Sequence, residues 1–435
     1  MPKTTRSTAE VALDRVPART AQPRLVLLLG PALVAGVAYL DPGNVASNMS
    51  AGAAYGYLLV WVIVAANLTA WLVQYLSAKL GVVTGASLPE VLGSRIRSPW
   101  GRRAYWLQAE VVAMATDIAE VIGGAVALHL LFGLPLVLGG AITGAISLGV
   151  LIVHSRGGAR RFELTIAAFL VVIVVGFSAG VLIAPPDAAG VLGGLVPRFQ
   201  GTDSVLLAAS ILGATVMPHA IYAHSALTRD RFHGTPTTSL PRRASTLTDA
   251  ATRRILVATR WDVSIAMIVA GSVNLVMLLI AAVTLPGAAG TDTLEGAYTA
   301  IRDSLGPIIA VLFAVGLLAS GLASTSVGAY AGSEIMHGLL RVRVPLVARR
   351  IVTLVPALAI LGAGVDPTWA LVLSQVVLSF GIPFAIVPLV WLTSRRSVLG
   401  THRNRGVTIA LGAVASVLLV ALNAVLLVLV ATGAG

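Results

Sequence analysis

The sequence predicts an all-α polytopic membrane protein of eleven transmembrane helices. Hydrophobic residues make up 57% of the 435-residue chain and charged residues 11%, against about a quarter charged in a soluble domain. Apolar stretches long enough to cross a hydrocarbon core, about 20 residues each, recur along most of the chain. A third observation fixes the count: the basic residues fall on alternate connections between these stretches, as a polytopic topology requires.

Taken in order, the apolar segments lie at roughly 25–52, 56–82, 104–131, 136–154, 163–184, 204–227, 261–286, 306–338, 350–364, 367–393 and 406–432. The first is interrupted by Asp41-Pro42-Gly43-Asn44 and the sixth by Met217-Pro218-His219. The ninth is short and contains Pro356. With the N-terminus inside, every Lys and Arg falls on the cytoplasmic side except Arg198 and Arg302. One missed span would scramble that split, so it supports both the helix count and a cytoplasmic N-terminus. The formal charge of +12 is therefore topological and gives no reason to expect a nucleic-acid partner.

Cysteine is absent, which excludes disulfides, thiolate metal sites and redox switching. Residues 1–24 are polar, lack a signal-peptide pattern and are expected to form a cytoplasmic tail. Lys3 and Lys79 are the only lysines in an alanine- and arginine-rich chain. That bias fits a GC-rich bacterial genome and hence a bacterial inner (cytoplasmic) membrane.

Domain organisation follows from the breaks. Residues 25–184 form a first five-helix repeat; 185–227 hold a connection and the broken sixth helix. Residues 228–260 form a polar cytoplasmic linker, 261–393 complete the second repeat, and 406–432 form an eleventh helix outside it. Five is odd, so the second half enters the membrane from the opposite side. Such inverted repeats place their substrate site where the corresponding helices are discontinuous.

The break residues carry cation chemistry. Proline lacks an N–H and glycine leaves the backbone open, so carbonyls freed there need partners away from bulk water. Asp41 adds a charge that costs about 2.5–3.5 kcal/mol near mid-membrane on insertion scales, and Asn44 adds a neutral oxygen. The structural alternative is a proline kink around a protonated, hydrogen-bonded Asp41. Met217 precedes Pro218, and Ala214, one turn earlier, can turn its carbonyl inward if the helix unwinds. A methionine in an apolar helix is usually packing. Beside an Asp/Asn site, its sulfur disfavours magnesium and calcium and favours manganese(II) or iron(II).

Together these motifs resemble the Nramp family of proton-coupled divalent-metal transporters, from about residue 25 to 393. Further likeness lies in Gly-Val-Val-Thr-Gly at 81–85, in the Gly321–Gly338 stretch GLASTSVGAYAGSEIMHG, and in Ser374-Gln375 with Pro383. The resemblance implies a LeuT-like bundle whose Asp41, Asn44, Met217 and Ala214 carbonyl bind metal. It implies that Gln375 approaches in one conformation of the cycle. Leu322-Ala323 stands where a Gln-Ser pair is common, which weakens any site assignment on the eighth helix.

The third helix carries Glu110, Asp117 and Glu120 on one face, by helical spacing. They are read either as structural ion pairs or as a proton relay, since buried carboxylates can load and release protons near neutral pH. The resemblance implies a proton route from Asp41 through these residues, with a ninth-helix arginine as partner; Arg349 and Arg350 are the candidates. His219 and His224 lie about 140° apart around a helix, so they are not expected to ligate one metal together. His219, directly after the break, is the candidate for gating or proton handling.

The expected function is secondary import of manganese(II), with iron(II) as a further cargo, coupled to protons. The partners are then the divalent metal ion, protons and the bilayer, for a chain working as a monomer with no resident cofactor. A magnesium-selective relative or a sodium-coupled solute symporter of the same fold is the alternative. Metalloprotease, hydrolase and nucleotide-binding motifs are absent, so an enzyme is unsupported.

Overall fold

The structure is a computed structural model that describes residues 28–234, 247–286, 290, 293–342 and 344–432. The expected tail at 1–24 and residues 235–246 of the linker lie outside the described residues. Among the described residues there are helices and connecting turns and no strand.

All eleven apolar segments are helical. The first is α1 (Pro31–Val37), one tight turn at Ala38–Leu40, and α2 (Pro42–Tyr55). There follow α3 (Val60–Thr84), the short α4 (Leu88–Arg95), α5 (Pro99–Phe132), α6 (Leu136–Ile183) and the short α7 (Ala188–Gly193). The sixth segment is α8 (Gly201–Thr215) and α9 (Pro218–His233). Then come α10 (Asp249–Thr284), α11 (Leu294–Leu305), α12 (Pro307–Leu340), α13 (Leu346–Gly362) and α14 (Pro367–Ser394). After α15 (Arg396–Leu399), α16 (Gly406–Thr432) closes the chain.

Three boundaries differ from the sequence reading. The fourth and fifth segments share one 48-residue helical run, α6. No proline lies between 136 and 184 to remove a helical hydrogen bond. At 1.5 Å per residue the run is about 72 Å long, over twice the hydrocarbon thickness, so it cannot be one straight span. Ser147 on one side of it meets Arg350 near the start of α13. On the other side, Glu163 lies against Gly30 just before α1. The linker is shorter than 228–260, because α9 runs on to His233 and α10 starts at Asp249. Short helices α4, α7, α11 and α15 occupy connections where none was expected; α4 starts with a full Ser87/Glu90 capping box.

The broken helices lie inside the bundle. α2 packs on α10, α9 on α3, and α12 on both α5 and α6. In lipid such contacts rest on close backbone approach through small residues. Gly52 of α2 is one case: a Cβ there would come within 2.3 Å of the Leu278 carbonyl of α10.

Candidate functional site

Both breaks are built the same way: an extended residue, then a proline at the first position of a new helix. Proline fits there because its missing N–H would have no intrahelical partner. Asp41 is extended (φ −69°, ψ 163°) and caps α2, its Oδ1 accepting from the Asn44 backbone N–H at 2.8 Å. Val216 (φ −99°, ψ 83°) and Met217 (φ −84°, ψ 120°) are the unwound residues ahead of Pro218.

The Asn44 side chain joins the two breaks. Its amide donates to Asp41 Oδ1 at 2.8 Å and to the Ala214 carbonyl at 3.1 Å. Thr215 Oγ1, which donates to the Ile211 carbonyl at 2.6 Å, lies 3.4 Å from Asn44 Oδ1. Asp41, Asn44, Ala214 and Met217 are all buried. Gln375, on α14, also reaches the break: a Cβ on Gly43 would fall 1.8 Å from its Nε2. Asp41 Oδ2 and Gln375 Oε1 have no hydrogen-bond partner. Two acceptor oxygens, one of them from a carboxylate, thus stand buried and unpaired at the break, an arrangement that suits a cation.

Sequence reasoning expected a cation to meet the carbonyls freed at the first break. Side chains take that part at three of them. Ser324 donates to the Val37 carbonyl at 3.3 Å, Asn274 to that of Tyr39 at 2.9 Å, and Ser320 to that of Leu40. What the break leaves unpaired among its side chains is the Asp41 carboxylate oxygen, while these three carbonyls are satisfied. These donors on α10 and α12 were missed from sequence. Ser320 and Ser324 flank the Leu322-Ala323 departure, and their serine spacing of four was the available signal.

Among the described residues, no three His, Asp or Glu side chains converge as a metal cluster. The candidate donor set has one carboxylate only, so pattern searches for acidic or imidazole clusters pass over it.

On α5, Glu110, Asp117 and Glu120 are all buried. Arg349 on α13 holds the first two, with Nη2 2.8 Å from Glu110 Oε1 and Nη1 3.2 Å from Asp117 Oδ2. Arg350 is buried as well, 3.9 Å from Asp117 Oδ1, and its Nε donates to Ser147 at 2.8 Å. Both arginines therefore face inward. Neither carboxylate oxygen of Glu120 has a partner, so the face divides into an ion-paired end and an unpaired one. α5 comes right up to the first break, where Gly123 has no room for a Cβ beside Pro42.

His219 Nδ1 lies 3.4 Å from Thr116 Oγ1 of α5, one residue before Asp117, and its Nε2 is unpartnered. His224 is separate from it: its Nδ1 is 2.6 Å from Gln74 Oε1, and Gln74 donates to Tyr39 at 2.6 Å. This Tyr39–Gln74–His224 chain had no sequence signal beyond a polar residue in an apolar helix.

A second charged cluster was also missed. Arg229, fully buried, meets Glu90 at 2.8 Å, Asp230 at 2.8 Å and Glu334 at 2.9 Å, tying α9 to α4 and α12. In sequence Arg229 is one more basic residue of a cytoplasmic connection.

Among known proteins, the divalent metal cation transporter MntH of Mycobacterium tuberculosis is 60% identical over 406 residues. That match covers 93% of this chain and 92% of the relative. MntH of Bacillus subtilis is 46% identical over 406 residues, with the same coverage. The crystal structure of the Eremococcus coleocola manganese transporter superposes with a TM-score of 0.82 at 29% identity, covering 94% of this chain and 89% of that one. A nucleobase-cation-symport-1 transporter in a closed conformation matches at 15% identity with a TM-score of 0.55, a likeness of fold alone. The profile of natural resistance-associated macrophage protein-like sequences matches residues 32–429, and the chain belongs to this Nramp family.

Proposed function

We propose that this protein is a secondary active importer of divalent transition-metal ions, manganese(II) foremost and iron(II) as a further cargo, moved together with protons. The observation that carries the proposal is the Asn44 side chain, which binds Asp41 and the Ala214 carbonyl beside Met217. Asp41, Asn44 and the Ala214 carbonyl supply hard oxygen donors, and Met217 supplies a soft sulfur that magnesium and calcium do not favour. Relatives called divalent metal cation transporters and a neighbour called a manganese transporter support the cargo.

A membrane potential contributes about 2.3 kcal/mol per elementary charge per 100 mV, which favours inward movement of a divalent cation. Protons pass from Asp41 by His219 and Thr116 to the α5 carboxylates Asp117, Glu120 and Glu110, with Arg349 and Arg350 as their countercharges. The chain works as a monomer in the inner membrane of a bacterium, N-terminus inside, with residues 25–184 and 185–393 as its two repeats. Met217 speaks against a magnesium-selective relative, and Asp41 would repel the carboxylate of an amino-acid substrate.

The test is manganese uptake into proteoliposomes by wild type and Asp41→Ala. Loss of uptake in the variant is expected; undiminished uptake would overturn the reading.

A further inference from the structure

A groove runs along the outer surface of the bundle between α3 and α10, away from the metal site. Its wide end has a volume of about 340 Å³ and is lined by Trp71, Val257, Arg260, Trp261 and Ser264. A second stretch of about 210 Å³ adjoins it in register on the same two helices and includes Leu68, Ile268, Ser272 and Leu275. On α10 the lining residues recur at helical spacing, so they form one stripe.

The two ends differ in chemistry. Arg260 lies 6.0 Å from the Trp71 ring, and among the described residues no carboxylate comes within ion-pairing distance of it. Trp71 donates its indole N–H to Ser264 Oγ at 2.9 Å, so a hydroxyl stands beside the arginine in the lining of the groove. Trp261 is 63% exposed, so a large amphipathic ring stands open at the rim. Tryptophan beside arginine is the side-chain chemistry of a membrane interface. The far end is mostly aliphatic, with Leu68 and Ile268 each 65% exposed and Asn67 and Ser272 its polar members. From Ser264 to Leu275 the stripe rises about 16 Å, close to half of a hydrocarbon core of about 30 Å.

We propose that this groove seats one anionic phospholipid of the cytoplasmic leaflet. Its headgroup phosphate lies at Arg260 and Ser264 between the two tryptophans, and one acyl chain lies along Leu68, Ile268 and Leu275. Charge complementarity selects the headgroup, because an unpaired guanidinium at an interface attracts an anion at about 1 kcal/mol. The length of the apolar stripe selects a lipid over a soluble phosphate. The seat also abuts the transport machinery: Leu275 follows Asn274, which holds the Tyr39 carbonyl at the first break. A bound lipid braces α10 from behind that contact. The proposal rests on the orientation that puts the start of α10 on the cytoplasmic side; the protein-level test below does not depend on metal transport.

The experiment melts delipidated full-length protein in detergent micelles titrated with phosphatidylglycerol, phosphatidylcholine or inorganic phosphate. Native mass spectrometry of the same samples counts retained lipid. Wild type should gain stability with phosphatidylglycerol in a saturable way and retain one such lipid. Arg260→Gln should weaken the apparent affinity at least fivefold, and Ser272→Phe, which fills the apolar stretch, should weaken it as well. Arg95→Gln, an exposed arginine outside the groove, should leave it unchanged. Equal stabilisation of wild type and Arg260→Gln would overturn the proposal. So would equal loss in Arg95→Gln, or the same stabilisation by inorganic phosphate or phosphatidylcholine.

Discussion

Asn44 and Ala214 stand 170 residues apart in sequence, yet the Asn44 amide donates to the Ala214 carbonyl at 3.1 Å and so ties one broken helix to the other. The same amide donates to Asp41 Oδ1. Asn44 therefore presents N–H groups to both oxygens that the proposed cargo would share. For its own oxygen to serve as a ligand, the carboxamide must turn and release the tie. In the proposed mechanism, ion entry and the relation between α2 and α8 are therefore coupled at this side chain.

Asn44→Ala removes the donor to a carboxylate as well as a candidate ligand. A hydrogen bond to a charged group contributes about 1.5–3 kcal/mol, which is roughly a 10- to 150-fold change in an equilibrium. Manganese uptake at sub-saturating metal is expected to fall by at least about tenfold. Uptake within twofold of wild type would show that Asn44 only shapes the kink.

Met217→Ala tests the sulfur. Met217 is fully buried at the unwound end before α9, and its side chain makes no capping hydrogen bond. Without it the remaining donors are oxygens, which magnesium and calcium accept readily. Manganese uptake should persist while competition by calcium or magnesium strengthens, on the order of tenfold for a 1.4 kcal/mol change in preference. Competition assays in proteoliposomes read this directly, and an unaltered profile would remove the argument for the sulfur.

Much of the fold could be read in the sequence because bilayers restrict the chemistry so strongly. Asp41-Pro42-Gly43-Asn44 stands out in an apolar helix, and the arginines mark alternate connections. The continuity of α6 was not legible, since Gly157 and Gly158 look like a loop and yet remove no hydrogen-bond donor. Arg349 and Arg350 could not be told apart either. One residue of register decides their partners, and both turn out to be buried. Ser320, Ser324 and Asn274 were hidden for a further reason. A small polar residue in an apolar helix has many uses, and only the fold shows which carbonyl it meets.

Arg349 lies over Gly332 of α12, where a Cβ would fall 1.9 Å from the guanidinium carbon. Breaking a buried ion pair by removing one partner costs about 3–5 kcal/mol. Arg349→Gln should therefore lower the melting temperature more than Arg350→Gln, whose ionic contact is longer at 3.9 Å. Gly332→Ala should act in the same direction as Arg349→Gln, because the added methyl displaces the same guanidinium. Differential melting of the three variants checks the order. A silent Gly332→Ala would mean that Arg349 relocates freely.

Glu90, in α4 between the second and third spans, gives a pH-dependent test. Burial alone would raise its carboxyl, but the Arg229 guanidinium and the Ser87 N–H together hold it below the ordinary value of 4.5. A carboxylate depressed by folding stabilises the protein fully above its unfolded value, and the contribution fades as pH falls through the folded value. Melting temperature should therefore drop as pH is taken from about 5 to about 3, in the range of ordinary carboxylates. Glu90→Gln should flatten part of that drop. An unchanged slope would show that the Glu90–Arg229 pair carries no pH-linked stability.

Gly43 and Gln375 allow a test by double substitution. Helix propensity favours alanine over glycine by up to about 1 kcal/mol, so Gly43→Ala need not destabilise α2. The new Cβ, however, would lie 1.8 Å from Gln375 Nε2 and 3.2 Å from Asp41 Oδ2. One of these groups must leave the break, and the flexible Gln375 amide is the one that can. Gly43→Ala should thus impair manganese uptake with little change in melting temperature. Gln375→Ala alone should also impair uptake by removing an oxygen from the break. If expulsion of Gln375 is the cause, the double variant should transport no worse than Gly43→Ala alone, because both lose the same oxygen, a non-additivity expected of residues in direct contact. A double variant impaired by the product of the two single losses would place the damage of Gly43→Ala at Asp41, because the methyl would then displace the carboxylate independently of Gln375.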